Sequence, residues 1–88
     1  MWNLEFDNKG KKSFLKLEKI IQTKILIYLE KRILPLANPR SIGKPLTANK
    51  KGLWRYRVAD YRIICDIRDE EIEILVIDVD HRKDVYDK

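Results

Sequence analysis

The chain has 88 residues, enough for one domain with a modest core, and we expect residues 1–88 to form a single domain. Its net charge of +5 and pI of about 9.4 favour an anionic partner. A single cysteine excludes an internal disulfide, and no apolar run reaches the ~20 residues that a transmembrane helix needs. The first residues lack the basic and apolar regions of a secretory signal peptide, so we expect a cytoplasmic protein.

The amino-terminal part predicts a strand followed by two helices. Trp2 to Phe6 alternates apolar and polar residues, as a short strand does. A helical pattern then runs from about Asn8 to Ile33, with one apolar stripe along it. Because one helix of that length is unusual in so small a domain, we expect a bend near Glu18–Ile20 and therefore a helical hairpin. The stripe consists of Ile21, Ile25, Tyr28, Leu29 and Ile33.

A loop is predicted from Leu34 to Lys51, because all three prolines lie in this segment. The loop has two interpretations. It is either a solvated linker or a basic lip beside the strands that follow. Its cations are Arg40, Lys44, Lys50 and Lys51.

Two strands joined by a tight turn at Ala59-Asp60 are predicted from the alternation between Gly52 and Ile67. Trp54, Tyr56 and Val58 share one face of the first strand, and Arg55 and Arg57 share the other. On the second strand Tyr61, Ile63, Cys65 and Ile67 lie opposite Arg62, Ile64, Asp66 and Arg68. If Arg62 joins the first two arginines, three guanidiniums converge, which is useful only when an anion binds. We expect Cys65 to be a small buried apolar residue.

The most apolar segment, Ile72–Val79, predicts a central strand covered on both faces over Leu75–Ile77. The order of the elements predicts an α+β domain in which a helical hairpin packs on one face of a small, mainly antiparallel sheet of about four strands. The arginines would lie on the other, partly open face. His81, Arg82 and Tyr86 would lie at its edge.

Arginines interleaved with aromatic residues suit RNA, because guanidiniums bind phosphates and flat rings stack on unpaired bases. Two simpler interpretations stay open. Trp54, Tyr56 and Tyr61 can be core residues, and Arg55 and Arg57 can form a solvated strand face.

Metal-independent RNA cleavage needs proton carriers and a group that stabilises the charge on the phosphorus. Arg62 and Arg82 can supply the charge, and His81 and Tyr86 can carry protons. A divalent metal at Asp78, Asp80 and His81 is the alternative, although strand-end aspartates more often pair with arginines. We expect no cofactor.

Three segments together resemble the RelE/ParE superfamily of type II toxins, on the RelE side. They are Leu53–Ile67 with its Tyr-Arg pair, the apolar strand Glu71–Val79, and His81–Tyr86 with its His-Arg-x-x-x-Tyr ending. The resemblance implies a toxin that enters the ribosomal A site and cuts mRNA through attack by the 2′-hydroxyl. It implies a RelB-like antitoxin as partner, besides the ribosome and mRNA, and no membrane.

Within that resemblance, Arg62 and Arg82 would stabilise the scissile phosphate, and Tyr86 would act in proton transfer. Arg55 and Arg57 fall where the superfamily commonly has basic strand residues. Together with the loop lysines Lys44, Lys50 and Lys51, which the basic-lip interpretation adds, they are the expected RNA-binding residues. Asp80 stands where the superfamily often has a small residue, and its carboxylate could weaken the local positive field. Two other functions stay open, namely a ParE-like gyrase inhibitor on the same fold and a non-catalytic RNA-binding module.

Overall fold

The computed structural model of the chain describes residues 1–47 and 52–81. Within these ranges five strands form one sheet in the order β1-β5-β4-β3-β2, and two α-helices follow β1. All neighbouring strands are antiparallel except β1 and β5, which are parallel. The elements are β1 (Asn3–Phe6), α1 (Asn8–Leu15), α2 (Lys19–Tyr28), β2 (Lys44–Pro45), β3 (Trp54–Val58), β4 (Tyr61–Arg68) and β5 (Glu73–His81).

Helix α1 begins at an aspartate cap and lies directly against β5. The Asp7 carboxylate accepts a hydrogen bond of 2.7 Å from the Gly10 amide, which satisfies a free donor of the first turn. A β-carbon on Gly10 would lie 2.1 Å from the carbonyl oxygen of Val76. Only glycine therefore fits at this contact between helix and strand.

The predicted helical hairpin is confirmed, with its break slightly earlier than expected. Helix α1 ends at Leu15 and α2 begins at Lys19, although no glycine or proline lies between them. The side-chain amide of Gln22 donates to the carbonyl oxygens of Leu17 at 2.9 Å and of Leu15 at 3.4 Å. These bonds satisfy carbonyls at the end of α1 and so stabilise the bend.

The core lies between the helices and one face of the sheet. Helix α2 continues as a π-helix over Leu29–Ile33, so the predicted apolar stripe remains continuous past the end of the α-helix. Ile25, Leu29 and Ile33 from this stripe are fully buried, as are Tyr56 and Ile63 from the sheet. The Cys65 side chain is buried as predicted, and burial raises the pKa of its thiol.

The predicted hairpin is confirmed, including its turn and the faces of both strands. Val58 pairs with Tyr61 across the turn at Ala59 and Asp60, and Tyr56 pairs with Ile63. Because directly paired residues share a face, the helices cover the aromatic face, and the arginines lie on the other.

Three details of the sheet differ from expectation. The central strand of the sheet is β4. The predicted central strand Ile72–Val79 lies, from Glu73 onward, in β5, between β1 and β4. Leu75 and Ile77 are only partly buried, so the expected coverage of β5 on both faces is wrong. The sheet also gains a fifth strand, because Lys44–Pro45 in the predicted loop pairs with β3.

None of the helices in the described ranges is long and apolar enough to cross a membrane.

Candidate active site

A row of three charged residues crosses the face of the sheet that carries the arginines. Arg57 on β3 pairs directly with Arg62 on β4, and Arg62 pairs directly with Asp80 on β5. Residues that are directly opposite in antiparallel strands have their β-carbons about 4.5–5.5 Å apart on one face. The backbone register therefore brings two guanidinium groups and one carboxylate together.

Arg62 is bound by Asp80. Its Nε donates to Asp80 Oδ1 at 3.1 Å, and its Nη2 lies 3.5 Å from Oδ2. Arg62 is only 9% exposed, so it needs a counter-ion much more than a surface arginine does. The expectation that the arginines require an external anion is therefore wrong for Arg62, because Asp80 supplies the negative charge.

Arg55 and Lys44 extend the positive surface toward the edge of the sheet. They pair directly across β2 and β3, so both side chains lie on one face. With Arg57 and the ring of Tyr28 they line a pocket of about 220 Å³. Of the two interpretations of the loop, the basic lip fits Lys44. Arg40, by contrast, is bound to Asp69 at 2.9 Å and has no place in this pocket.

The loop that carries Lys44 is fixed to β3 by two contacts. The indole Nε1 of Trp54 donates to the carbonyl oxygen of Ile42 at 2.7 Å. Gly43 has a φ of +88°, and a β-carbon there would lie 2.4 Å from the carbonyl oxygen of Arg55. Sequence reasoning did not single out Tyr28 or Gly43 for this pocket. Their signals were a lone phenol on an apolar helix stripe and a glycine directly before the lysine of β2.

His81 lies at the end of β5, but on the face opposite to Arg62. It pairs with Tyr61, and the two rings meet edge to face with centroids 4.8 Å apart. Both rings line a cleft of about 610 Å³ beside the helices, and Lys16 and Asp80 also line it. The expectation that His81 lies at the edge of the open face is wrong, because a strand turns successive side chains to opposite faces.

Tyr56 and Trp54 of the hairpin have structural roles. Tyr56 is fully buried, and its hydroxyl donates to the carbonyl oxygen of Pro39 at 2.6 Å. Burial also raises the pKa of this phenol. Trp54 is partly buried and anchors the loop, so neither ring offers a free platform for a base.

Four predicted site residues fall outside the described ranges, namely Arg82, Tyr86, Lys50 and Lys51. The roles predicted for them stay predictions.

The alternative metal site is not formed within residues 1–47 and 52–81, where no group of three or more His, Cys, Asp or Glu side chains is placed to hold an ion. The two aspartates have other partners. Asp78 accepts a hydrogen bond of 2.9 Å from Ser13 and lies 3.5 Å from Lys9 Nζ, whereas Asp80 binds Arg62.

Comparison with known proteins agrees with this architecture. The toxin–antitoxin complex RelBE2 from Mycobacterium tuberculosis matches with a TM-score of 0.77 and 25% identity over 92% of this chain and 91% of that one. The RelBE complex from E. coli matches with a TM-score of 0.72 over 92% and 96% of the two chains, and the archaeal RelE–RelB complex from Pyrococcus horikoshii with 0.65 over 96% and 98%. These two matches, at 18% and 21% identity, establish the fold alone.

Sequence comparison identifies the family. Toxin RelG from Mycobacterium tuberculosis is 38% identical over 48 residues, which are 54% of this chain and 55% of that protein. The chain thus aligns with about half the length of this curated relative. The family model of the ParE toxin of type II toxin–antitoxin systems matches residues 4–86. The resemblance to the RelE/ParE superfamily is therefore confirmed, and the chain belongs to the ParE toxin family of type II toxin–antitoxin systems.

Proposed function

We propose that this protein is a toxin that binds the ribosome and cuts mRNA without a metal ion. The observation that carries the proposal is the placement of Arg62 beside Arg57 on one face of the sheet. Lys44 and Arg55 continue the same positive surface. A rigid sheet that presents several cations on one face suits a chain of phosphates.

The proposed reaction is attack of the 2′-hydroxyl on the adjacent phosphorus, with departure of the 5′-oxygen of the next nucleotide. Arg62 and Arg82 stabilise the negative charge that develops on the phosphorane oxygens. Arginine is a poor proton carrier because of its high pKa, so another group must move the protons. The ring of His81 lies on the face away from Arg62, which leaves Tyr86 as the main candidate.

The proposed partners are a RelB-like antitoxin, the ribosome and mRNA, in the cytoplasm. The solved complexes that share the fold pair a RelE toxin with a RelB antitoxin. Residues 1–52 hold 12 basic and 4 acidic residues, a charge that favours both ribosomal RNA and an acidic antitoxin segment.

Primer extension on mRNA from translating ribosomes tests the proposal. The wild-type protein should produce new 5′ ends within codons, and Arg62→Ala should reduce the cleavage rate by at least ~10²-fold, as loss of one charge-stabilising donor does. Arg68→Ala is the matched control, because Arg68 is an exposed arginine at the far end of the same strand. A folded Arg62→Ala protein that cuts at the wild-type rate would contradict the proposal.

A gyrase inhibitor is the second candidate, because the family model that matches the chain bears the name of the ParE toxin. Expression of such a protein should induce DNA-damage signalling and leave mRNA intact. Binding of RNA without either effect would instead identify a non-catalytic RNA-binding module.

A further inference from the structure

The Arg62 guanidinium already holds an anion, in a geometry that a phosphate could also use. Its Nε and Nη2 groups approach the two oxygens of Asp80 at 3.1 Å and 3.5 Å. Guanidinium groups bind carboxylates and phosphates through the same two-point arrangement. Asp80 therefore occupies donor positions that an RNA phosphate would need.

Among the described residues, the row holds two guanidinium groups and one carboxylate. Arg57 faces Arg62 from β3, and Asp80 faces it from β5. A phosphodiester carries one negative charge, as a carboxylate does, so exchange of one for the other leaves the charge of the row unchanged. The incoming phosphate brings additional acceptor oxygens, which can also reach the exposed guanidinium of Arg57.

Asp80 is better placed to move than Arg62. The side chain of Asp80 is 25% exposed, whereas that of Arg62 is 10% exposed. Asp80 lines the same cleft of about 610 Å³ as Lys16, so a displaced carboxylate has space and a cation within that cleft. Movement of one short side chain at a strand end would open the site and leave the sheet intact.

We propose that Asp80 is the resting ligand of a phosphate site centred on Arg62, and that substrate RNA displaces it on binding. The inference rests on the proposed function, because the phosphate it invokes belongs to the RNA substrate. Asp80 thereby stabilises the free protein and lowers its affinity for RNA.

Asp80→Asn tests the inference, because the amide keeps the shape and a hydrogen-bond acceptor but carries no charge. Asp78→Asn is the matched control. It makes the same change in net charge two residues away, at a carboxylate whose partners are Ser13 and Lys9 on α1. The probe is a short single-stranded RNA with 2′-O-methyl groups, which this reaction cannot cut, and its affinity is measured by fluorescence anisotropy over a range of salt concentrations.

We expect Asp80→Asn to bind the probe roughly tenfold more tightly than wild type at low salt, because no internal anion has to be displaced. The slope of log affinity against log salt should steepen by up to about 0.7, because in wild type the cation released from the bound phosphate is offset by a cation taken up at the freed carboxylate of Asp80. Inorganic phosphate at constant ionic strength should raise the Tm of Asp80→Asn more than that of wild type. Asp78→Asn should follow wild type in all three measurements.

Equal affinity of wild type and Asp80→Asn would overturn the inference, and so would an equal gain for Asp78→Asn, since the effect would then be one of net charge. If circular dichroism shows that Asp80→Asn is unfolded, Asp80→Ser replaces it in the same experiment. The probe is not cleaved, so the outcome is separate from that of the proposed function. Tighter binding with no mRNA cleavage on ribosomes would refute the nuclease and leave the resting ligand intact.

Discussion

Arg57 and Arg62 face each other directly across β3 and β4, so two like charges lie on one face at the closest cross-strand spacing. The pairing is tolerated because Asp80 binds Arg62 from the opposite side and Arg57 is exposed to solvent. This arrangement favours binding of an anion over the stability of the free protein.

Replacement of Arg57 by Ala should stabilise the free protein at low salt. Directly opposed like charges destabilise a strand pair by about 0.2–1 kcal/mol, and the substitution removes that repulsion. Urea unfolding at low and at high NaCl measures the effect, which should shrink at high salt because the Debye length falls to about 3 Å at 1 M.

Lys24→Ala is the control for this experiment, since Lys24 is an exposed cation on α2 and belongs to no strand pair. It should bring no such gain in stability. A gain of equal size in both variants would mean that general net charge, and not the Arg57–Arg62 pair, sets the stability.

Replacement of Gly10 by Ala should destabilise the fold, although alanine is the better helix former by about 1 kcal/mol. The new β-carbon would lie 2.1 Å from the Val76 carbonyl oxygen, which is backbone and cannot turn away. Overpacking of this kind costs about 1–3 kcal/mol of the free energy of unfolding, which chemical denaturation measures. Lys11→Ala, at an exposed position on the same helix, should leave stability within about 0.5 kcal/mol of wild type. A Gly10→Ala protein as stable as the Lys11→Ala control would show that α1 and β5 are not in such close contact.

Replacement of Ile72 by Gly should stabilise the turn between β4 and β5. Ile72 has a φ of +51°, a left-handed conformation that is unfavourable for a β-branched residue by about 1–2 kcal/mol. Because its side chain is 50% exposed, removal of the side chain loses little burial. Glycine also has more conformational entropy in the unfolded chain, which offsets part of this effect. We expect a net gain of roughly 0.5–1 kcal/mol in the free energy of unfolding.

Ile72→Val separates backbone strain from side-chain burial, because valine keeps the branched β-carbon. Thermal unfolding should rank Ile72→Gly above both the wild-type protein and Ile72→Val. A loss of stability in Ile72→Gly would show that the exposed side chain contributes more than the strain removes.

The Arg40–Asp69 ion pair should make stability depend on pH in the acid range. The hydrogen bond from Arg40 lowers the pKa of the Asp69 carboxyl below its ordinary value of 3.8. A carboxyl whose pKa is lowered on folding contributes stability above the unfolded value, and this contribution is lost as the pH falls through the folded value.

The free energy of unfolding of wild type should therefore fall more steeply below pH 3.8 than that of Asp69→Asn. Asp60→Asn removes another exposed carboxylate, in the turn between β3 and β4, and serves as the control. Parallel pH curves for wild type and Asp69→Asn would show that the ion pair contributes nothing measurable in solution.

Local patterns in the sequence predicted the helical hairpin, the turn at Ala59 and Asp60, and the separation of arginines from apolar residues on β3 and β4. These features depend on neighbours a few residues apart, because a strand alternates its faces and a helix repeats every 3.6 residues. The same patterns could not order the strands. The apolar run of β5 suggested the centre of the sheet, but β4 took that place.

By itself, the sequence determined which side chains share a face within β3 and β4, since backbone geometry fixes that relation locally. In β5 the alternation is interrupted, because its register on β4 shifts by one residue between Ile64 and Cys65. Only the tertiary structure decided which residues meet across strands. The register of β4 on β5 put Asp80 against Arg62 and turned His81 to the other face, and a shift of one residue would have exchanged the two. The chemistry of the site depends on that register, because it places the counter-ion of Arg62 inside the protein.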